Sequence, residues 1–464
     1  MERGIQPSWG WELQPSLPPY SLEVGSLNEE YICEGERTLS QCMREGASEC
    51  EVYIEERTEK TIIVQADETY SEREKSEATM GIRALVDKKR GFAAFTLPSK
   101  HEIYHSVMKV AHIQEPDPDW HGLAHSHSMP AIPGLCDPRI RDISMETLLE
   151  LSTALHSPFP TISVDSARFT TITSEVHILN SHEISQGYAA TKCYLFLSCL
   201  PRKGGAQAVM NYAVSRHLDI DMEALVGETC SILKDSSKAH SLHESFTGEV
   251  LFSEQVVNQV FMNSLAAAIS AENVKRDVSY FKDYLNTPVA SGLVSVVDDG
   301  RLPGGVCSAP FDREGNPNQK TEIITDGILE NFIHDEYTAH LFNTQSTGNA
   351  VGSAMIEPLV GISNLLIDPG DASKEEMIES VRRGLYVRGL SGGVNVTTGD
   401  YSGMVPHAYY VEKGEIVHPT KVLISGNSFS GLCRVKMVGR EWRANLEGMY
   451  GVPLLMDDID IICH

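Results

Sequence analysis

The sequence predicts an α+β protein. We expect an N-terminal antiparallel sheet with helices, a β-rich middle region and a C-terminal β-rich, barrel-like domain. Residues 50–55 alternate between apolar positions and acidic or aromatic ones, the pattern of a half-buried strand. Amphipathic helical patterns are concentrated before residue 270, and β-forming residues with many glycines and Asp-Gly turns dominate after it. Few, early helices followed by strands and turns are typical of a barrel or a sandwich.

A chain of 464 residues is too long for one ordinary hydrophobic core, so it predicts two or three domains. The N-terminus carries four prolines and no pattern of a structured element. The predicted units are a flexible lead-in at 1–26, an N-terminal α+β domain at 27–115, a middle β-rich domain at 116–240 and a C-terminal β-rich domain at 241–464.

Composition excludes some classes of partner. A net charge of −26 argues against a surface that follows nucleic-acid phosphates. The sequence has no secretory signal pattern, and no apolar run approaches the roughly 20 residues that span a bilayer. Its ten cysteines form no Cys-x-x-Cys pair, which favours reduced, mostly buried thiols. We therefore expect a cytoplasmic protein without nucleic-acid or membrane partners.

Local patterns predict the individual elements. Besides the strand at 50–55, the predicted strands include 61–64, 81–86, 92–95, 169–173, 175–179, 188–200, 322–324, 328–333, 422–425 and 454–462. Helices are predicted at 36–46, 99–112, 145–154, 253–270 and 373–384, with another that Asp221 caps. Asp298-Asp-Gly300 and Asp326-Gly327 are predicted hairpin turns.

Two segments offer candidate chemistry. His101-Glu102-Ile-Tyr-His105 matches the pattern in which two histidines one helical turn apart bind zinc and the glutamate activates water. On a helical wheel these histidines lie opposite the apolar stripe, so a solvated polar face is the alternative interpretation. Asp312 and Glu314 form either an acid–base pair or a polar turn in which Asp312 accepts from backbone amides.

The segment 384–416 combines many glycines with β-forming residues. Such density indicates bulged strands or a backbone that a ligand approaches closely. Asn395, Thr398 and Asp400 are the polar candidates for lining a substrate cavity. The alternative is that they fix turns and bulges.

The C-terminal half resembles the TldD/PmbA family of metallopeptidases, also known as the "modulator of DNA gyrase" family. The resemblance rests on the order and spacing of sequence blocks across nearly all of 245–464. These blocks are Asp283-Tyr-Leu-Asn-Thr-Pro, Val297-Asp-Asp-Gly, Phe311-Asp-Arg-Glu-Gly, Thr325-Asp-Gly-Ile-Leu, Ser346-Thr-Gly-Asn-Ala, Asn364-Leu-Leu-Ile and Gly392-Gly-Val-Asn-Val-Thr-Thr-Gly-Asp-Tyr-Ser. Residues 81–86, 91–93 and 178–181 fit the family more loosely.

The resemblance implies a role in intracellular proteolysis. TldD-type members are zinc peptidases with a His-Glu-x-x-x-His helix, and they pair with TldE/PmbA-type subunits around a cavity in which unfolded peptides are cut. In this chain the predicted helix at 253–270 stands in the place of the metal-binding helix but has no histidine, and no glutamate after Glu254. The chain is therefore similar to the TldE/PmbA-type subunit. We expect it to bind no zinc itself and to pair with a TldD-type partner that holds the zinc.

Three hypotheses follow. The first is a non-catalytic subunit that helps to hold unfolded peptide as an extended strand, a mode that binds many sequences through backbone pairing. The second is an autonomous zinc hydrolase that uses His101, Glu102 and His105. The third is a non-enzymatic peptide-binding protein.

Overall fold

The computed structural model describes residues 28–99, 103–203 and 207–463. The first half of the described chain is built on one antiparallel sheet. Its strands are β1 (Glu49–Gln65), β2 (Glu68–Val86), β3 (Lys89–Leu97), β4 (Ile162–Asn180), β5 (Ser185–Pro201) and β6 (Val209–Ser215). They are ordered β3-β2-β1-β4-β5-β6 across the sheet. β1 pairs with β4 from Glu51 to Gln65. The units predicted at 27–115 and 116–240 therefore share this one sheet.

Helices cover the back of this sheet. They are α1 (Glu29–Arg44), α2 (Ile103–Ile113), α3 (Pro138–Arg141), α4 (Met145–Ser152) and α5 (Met222–Ser236). The first helix begins earlier than predicted because Asn28 caps it by accepting from the Glu30 amide. Asp221 caps α5 as predicted, accepting from the Ala224 amide. Alternate residues of the strands, such as Val52, pack beneath these helices in two apolar clusters.

The second half of the described chain contains most of the short strands. Its strands are β7 (His240–Ser241), β8 (Phe246–Phe252), β9 (Val296–Asp299), β10 (Lys320–Thr325), β11 (Ile328–Leu329), β12 (Ala350–Val351), β13 (Leu359–Val360), β14 (Leu365–Ile367), β15 (Arg383–Val394), β16 (Asp400–Glu412), β17 (Glu415–Asn427), β18 (Val435–Val438), β19 (Arg443–Ala444), β20 (Met449–Gly451) and β21 (Leu454–Ile462). Its helices are α6 (Glu254–Val257), α7 (Asn263–Ala268), α8 (Ala271–Lys275), α9 (Glu336–Leu341), α10 (Lys374–Ser380) and α11 (Ser428–Leu432).

A closed barrel forms the centre of this half. The strands β21, β8, β15, β16 and β17 pair in that order, and pairing of β17 with β21 closes the ring. A second sheet, ordered β11-β10-β9-β14-β20-β19, lies beside it, and one apolar cluster joins the two. The predicted α+β class and the barrel-like C-terminal domain are thus confirmed.

Other predicted elements also differ in detail. The helix predicted at 253–270 is interrupted, because Asn258–Met262 forms a π-helical turn between α6 and α7. Asp298 was predicted in a hairpin turn, but it lies within β9 and accepts hydrogen bonds from Asn349 and Ser363. Burial of this carboxyl raises the pKa of Asp298 to about 6. The Asp326-Gly327 hairpin is confirmed, since both residues have the positive φ that such a turn needs.

The front of the N-terminal sheet faces the C-terminal half, and a buried ion cluster joins them. Arg83 of β2 donates to Glu51 of β1 at 2.7 Å and to Glu314 at 2.8 Å. Arg313 donates to the other oxygen of Glu51 at 3.0 Å. All four side chains are at most 3% exposed. Nearby, a Cβ on Gly81 would stand 2.2 Å from the Ala354 carbonyl oxygen, so only glycine permits this close approach.

We predict that Arg83→Met destabilises the protein by roughly 3–5 kcal/mol, because it leaves Glu314 buried without its cation. Urea unfolding would measure the change in free energy. The matched control is Arg57→Met, whose exposed guanidinium pairs with Glu59 and contributes about 1 kcal/mol or less. Similar stabilities for the two variants would contradict the assigned role of the cluster.

Candidate functional site

A cleft separates the far end of the N-terminal sheet from the barrel. Its volume is about 790 Å³, which is in the range of small-molecule and cofactor pockets. One wall is the front of the sheet, where Ile63, Arg168, Phe196, Met210 and Tyr212 line the cavity. The other wall comes from α6, the π-helical turn, β15, β16 and the segment 445–447.

The sheet wall forms a regular platform, which we define as Ile63, Arg168, Phe196, Met210 and Tyr212. Ile63 lies opposite Arg168, Arg168 opposite Phe196, and Phe196 opposite Tyr212. Residues paired directly across strands place their side chains on the same face. Phe196 is 41% exposed and Met210 78% exposed. The platform is therefore mainly apolar, with one guanidinium within it.

The helical part of the facing wall presents amide side chains, those of Gln255, Asn258 and Gln259. Nε2 of Gln259 donates to the carbonyl oxygens of Leu390 and Gly392 at 3.1 and 3.0 Å. Asn258 donates through Nδ2 to the Arg443 carbonyl oxygen, while its buried Oδ1 accepts no hydrogen bond from the described residues. These residues lie on the π-helical turn, a feature that often marks functional sites.

Charges at the side of the cleft are paired. Glu228 of α5 contacts both Arg388 and Arg443. Burial acts to raise the pKa of Glu228, but the two arginines outweigh it and the pKa is lowered. Arg443 also donates to Asn211 Oδ1 at 3.0 Å. This network ties α5 and β6 to the C-terminal half and leaves Arg388 neutralised.

His407 is the histidine that lines the cleft. Its Nδ1 lies 2.7 Å from Ser236 Oγ at the end of α5. Burial lowers the pKa of His407 to about 4. The ring is therefore neutral at neutral pH and positions a polar contact between α5 and β16.

The sequence-predicted candidates lie elsewhere. Asn395, Thr398 and Asp400 are exposed at the hairpin between β15 and β16 and are not among the residues that line the cleft. Asn395 accepts from the amides of Thr397 and Thr398, and Thr398 donates to Asp400 at 2.8 Å. Hydrogen bonds from Asn427 and Thr398 lower the pKa of Asp400. These contacts are those of a fixed turn; a role in lining a substrate cavity stays a prediction.

The glycines of this segment serve the barrel. A Cβ on Gly384 would stand 1.8 Å from the Glu249 carbonyl oxygen, and one on Gly392 would stand 2.4 Å from that of Ser402. The pairing of β15 with β16 shifts register on either side of Gly389. Of the two interpretations of the glycine density, bulged and closely packed strands account for it.

The predicted histidine motif is only partly described. His101 and Glu102 lie outside the described residues. His105 is exposed on α2, which packs against β2 and β3, at the opposite edge of the sheet from β6 and the cleft. Its helical neighbours Ile103 and Val107 are buried as the predicted apolar stripe requires.

Asp312 follows the predicted turn interpretation. Its Oδ1 accepts from the amides of Glu314 and Asn316, and its Oδ2 accepts from the Ala350 amide. Burial, reinforced by the neighbouring Glu314 charge, raises the pKa of Asp312 well above its usual range. Glu314 instead belongs to the buried ion cluster.

Sequence patterns missed the cleft residues Arg168, Phe196 and Asn258. One signal was present in β5, where buried Cys193, Leu195, Leu197 and Cys199 alternate with Tyr194 and Phe196. Large apolar residues on both faces of a strand indicate that both faces are covered or that one lines a binding surface.

Comparison with known proteins identifies relatives of this chain. Residues 245–462 match the family model described as "PmbA/TldA metallopeptidase C-terminal domain". Residues 245–462 belong to the PmbA/TldD metallopeptidase family. Metalloprotease PmbA of Escherichia coli O157:H7 is 27% identical over 388 residues, covering 80% of this chain and 83% of that protein. A metalloprotease of Methanocaldococcus jannaschii is 27% identical over 264 residues, so the match spans 58% of that relative's length.

Solved structures share the PmbA/TldD-like fold. TldE from Thermococcus kodakarensis superimposes with a TM-score of 0.83 at 21% identity, over 94% of this chain and 99% of that one. A protein from Thermotoga maritima superimposes with a TM-score of 0.84 at 20% identity, over 93% of this chain and 99% of that one. In this chain, no described helix has the length and apolar character needed to cross a membrane.

The family's metallopeptidase name raises the question of a metal site. Zinc prefers the nitrogen, sulfur and carboxylate donors of His, Cys, Asp and Glu. Gln255, Asn258 and Gln259 supply amides instead on the helical segment of the cleft. Across 28–99, 103–203 and 207–463, no group of three or more His, Cys, Asp or Glu side chains is placed to hold a metal ion. The donor set of this cleft does not fit zinc.

We predict that the His407 ring stays neutral down to about pH 5. An NMR titration of the ring signals would measure this, and the signals missing from His407→Gln would identify those of His407. An unfolded histidine has a pKa near 6.5. The unfolded state therefore binds the proton first, and the contribution of the neutral His407 to stability is lost as pH falls from about 6.5 towards 4. The stability advantage of the wild type over His407→Gln should shrink across that window. A midpoint near 6.5 would contradict the burial argument.

Proposed function

We propose that this chain is a TldE/PmbA-like subunit of a TldD/TldE-type zinc metallopeptidase complex that degrades unfolded peptides in the cytoplasm. In this proposal the chain binds no zinc, and its partner is a TldD-type subunit with a His-Glu-x-x-x-His motif. The observation that carries the proposal is the amide-lined helical wall of the cleft in a chain whose C-terminal half belongs to a metallopeptidase family.

The chemistry of the cleft supports a binding role. Gln255 and Gln259 are held by hydrogen bonds to Asn211 and to main-chain carbonyl oxygens. A neutral amide has no basic lone pair with which to activate water, and zinc prefers His, Cys and carboxylate donors to amides. The apolar platform opposite offers contact area instead. A surface of this kind retains an unfolded peptide while the partner cleaves it.

We predict that the isolated chain carries no stoichiometric zinc and does not cleave unstructured peptides. Co-expression with a TldD-type subunit should give a complex that contains zinc and cleaves these peptides. Metal analysis and a fluorogenic peptide assay would measure this. Glutamine in place of the partner's motif glutamate should abolish cleavage without dissolving the complex. Stoichiometric zinc together with unaided cleavage by this chain would contradict the proposal.

The autonomous-hydrolase hypothesis makes the opposite prediction for one variant. Glu102→Gln should leave the activity of the complex unchanged if the chain is a non-catalytic subunit. Loss of cleavage in this variant, with metal content retained, would support the hydrolase instead. A chain that binds peptide but never raises a partner's cleavage rate would support the non-enzymatic alternative.

A further inference from the structure

We infer that the cleft recognises a peptide segment that carries a carboxylate beside a large apolar side chain, and that Arg168 binds the carboxylate. This inference rests on the proposed peptide-binding function and names the class of peptide. It is carried by the position of Arg168 on the apolar platform and by its lack of an ion-pair partner among the described residues.

Arg168 is the uncompensated cation of the cleft. Two arginines line the cavity, Arg168 and Arg388. Arg388 is bound by Glu228, whereas the exposed guanidinium of Arg168 makes no ion pair or hydrogen bond with the described residues. In a chain of net charge −26, an exposed arginine that makes no ion pair with the described residues attracts anions. A guanidinium binds a carboxylate through two parallel hydrogen bonds.

The neighbours of Arg168 indicate which side chain the bound peptide carries beside its carboxylate. Its cross-strand neighbours are Ile63 and Phe196, and Tyr212 lies one strand further on. Side chains directly opposite on adjacent strands are about 5 Å apart. In an extended peptide, side chains two residues apart are separated by roughly 7 Å. A peptide laid across the strands with its carboxylate on Arg168 therefore places the side chain two residues away over Phe196 and Tyr212.

The charge of the facing wall also favours Arg168 as the anion site. The exposed carboxylate of Glu447 lies at the rim of the same wall, so an anion is directed towards Arg168 and away from that side.

The test uses the full-length chain alone and fluorescently labelled, unstructured peptides followed by anisotropy. One peptide ends in a free carboxylate two residues after a phenylalanine, and a second is the same peptide with an amidated C-terminus. A third is amidated but has a glutamate two residues after the phenylalanine. We expect the first to bind about tenfold or more tightly than the second. Tight binding of the third would identify an acidic side chain as a further carboxylate source, and weak binding would restrict the site to chain termini.

Variants assign the effect to the cleft. Arg168→Gln should reduce binding of the carboxylate peptide to the level of the amidated one, while Arg301→Gln, which removes an exposed arginine outside the cleft, should not. Met210→Ala should weaken both peptides alike, and Glu447→Gln should not weaken either. Thermal unfolding would confirm that Arg168→Gln is folded. Equal binding of free and amidated peptides, or unchanged binding by Arg168→Gln, would overturn the inference.

This assay needs neither a partner nor zinc. Failure of Arg168-dependent binding is therefore a different result from failure to form an active complex with a TldD-type subunit.

Discussion

The buried ion cluster of Glu51, Arg83, Arg313 and Glu314 sets how the two halves of the chain meet. Two cations and two carboxylates at most 3% exposed are tolerable only when each has its partner in place. The cluster therefore favours one register between the sheet and the loop at 311–316. The cluster holds one end of the front face of the sheet against the C-terminal half. Ile63 lies twelve residues beyond Glu51 on the same face of β1, roughly 40 Å along the strand, where the clamped surface gives way to the cleft.

Two separate parts of the chain supply the side chains that line the cleft. A flat sheet supplies an apolar platform with one uncompensated guanidinium, and a π-helical turn supplies amides that are mostly bound to the protein itself. The paired charges of Glu228, Arg388 and Arg443 hold the walls together without adding a reactive group. Such a site is suited to retaining an extended chain, and in the proposed complex the partner subunit brings the metal.

Prediction from sequence succeeded where the pattern was local. The strand at 50–55, the cap at Asp221 and the Asp326-Gly327 hairpin depend on neighbouring residues, and all are confirmed. The strand is not half-buried as predicted, because the C-terminal half covers Glu51 and Tyr53 on its other face. Prediction failed for Asp298, since an Asp-Asp-Gly sequence is typical of a turn. Its carboxyl is instead buried in a strand, where hydrogen bonds from the distant residues Asn349 and Ser363 stabilise it. Arg168 and Phe196 carried no motif, because their importance comes from strands that pair across the sheet.

By itself the sequence determined the fold class, the family of the C-terminal half and the absence of a histidine from the helix at 253–270, because each of these depends on residue identity and order. Only the tertiary structure decided which polar residues share a site. Asn395 and Asp400 lie in a hairpin whose side chains bond to neighbouring residues and to Asn427, while Arg168 and Asn258 line one cavity. Hydrogen bonds within a turn form between sequence neighbours, whereas a cleft is made by long-range packing that no local pattern records.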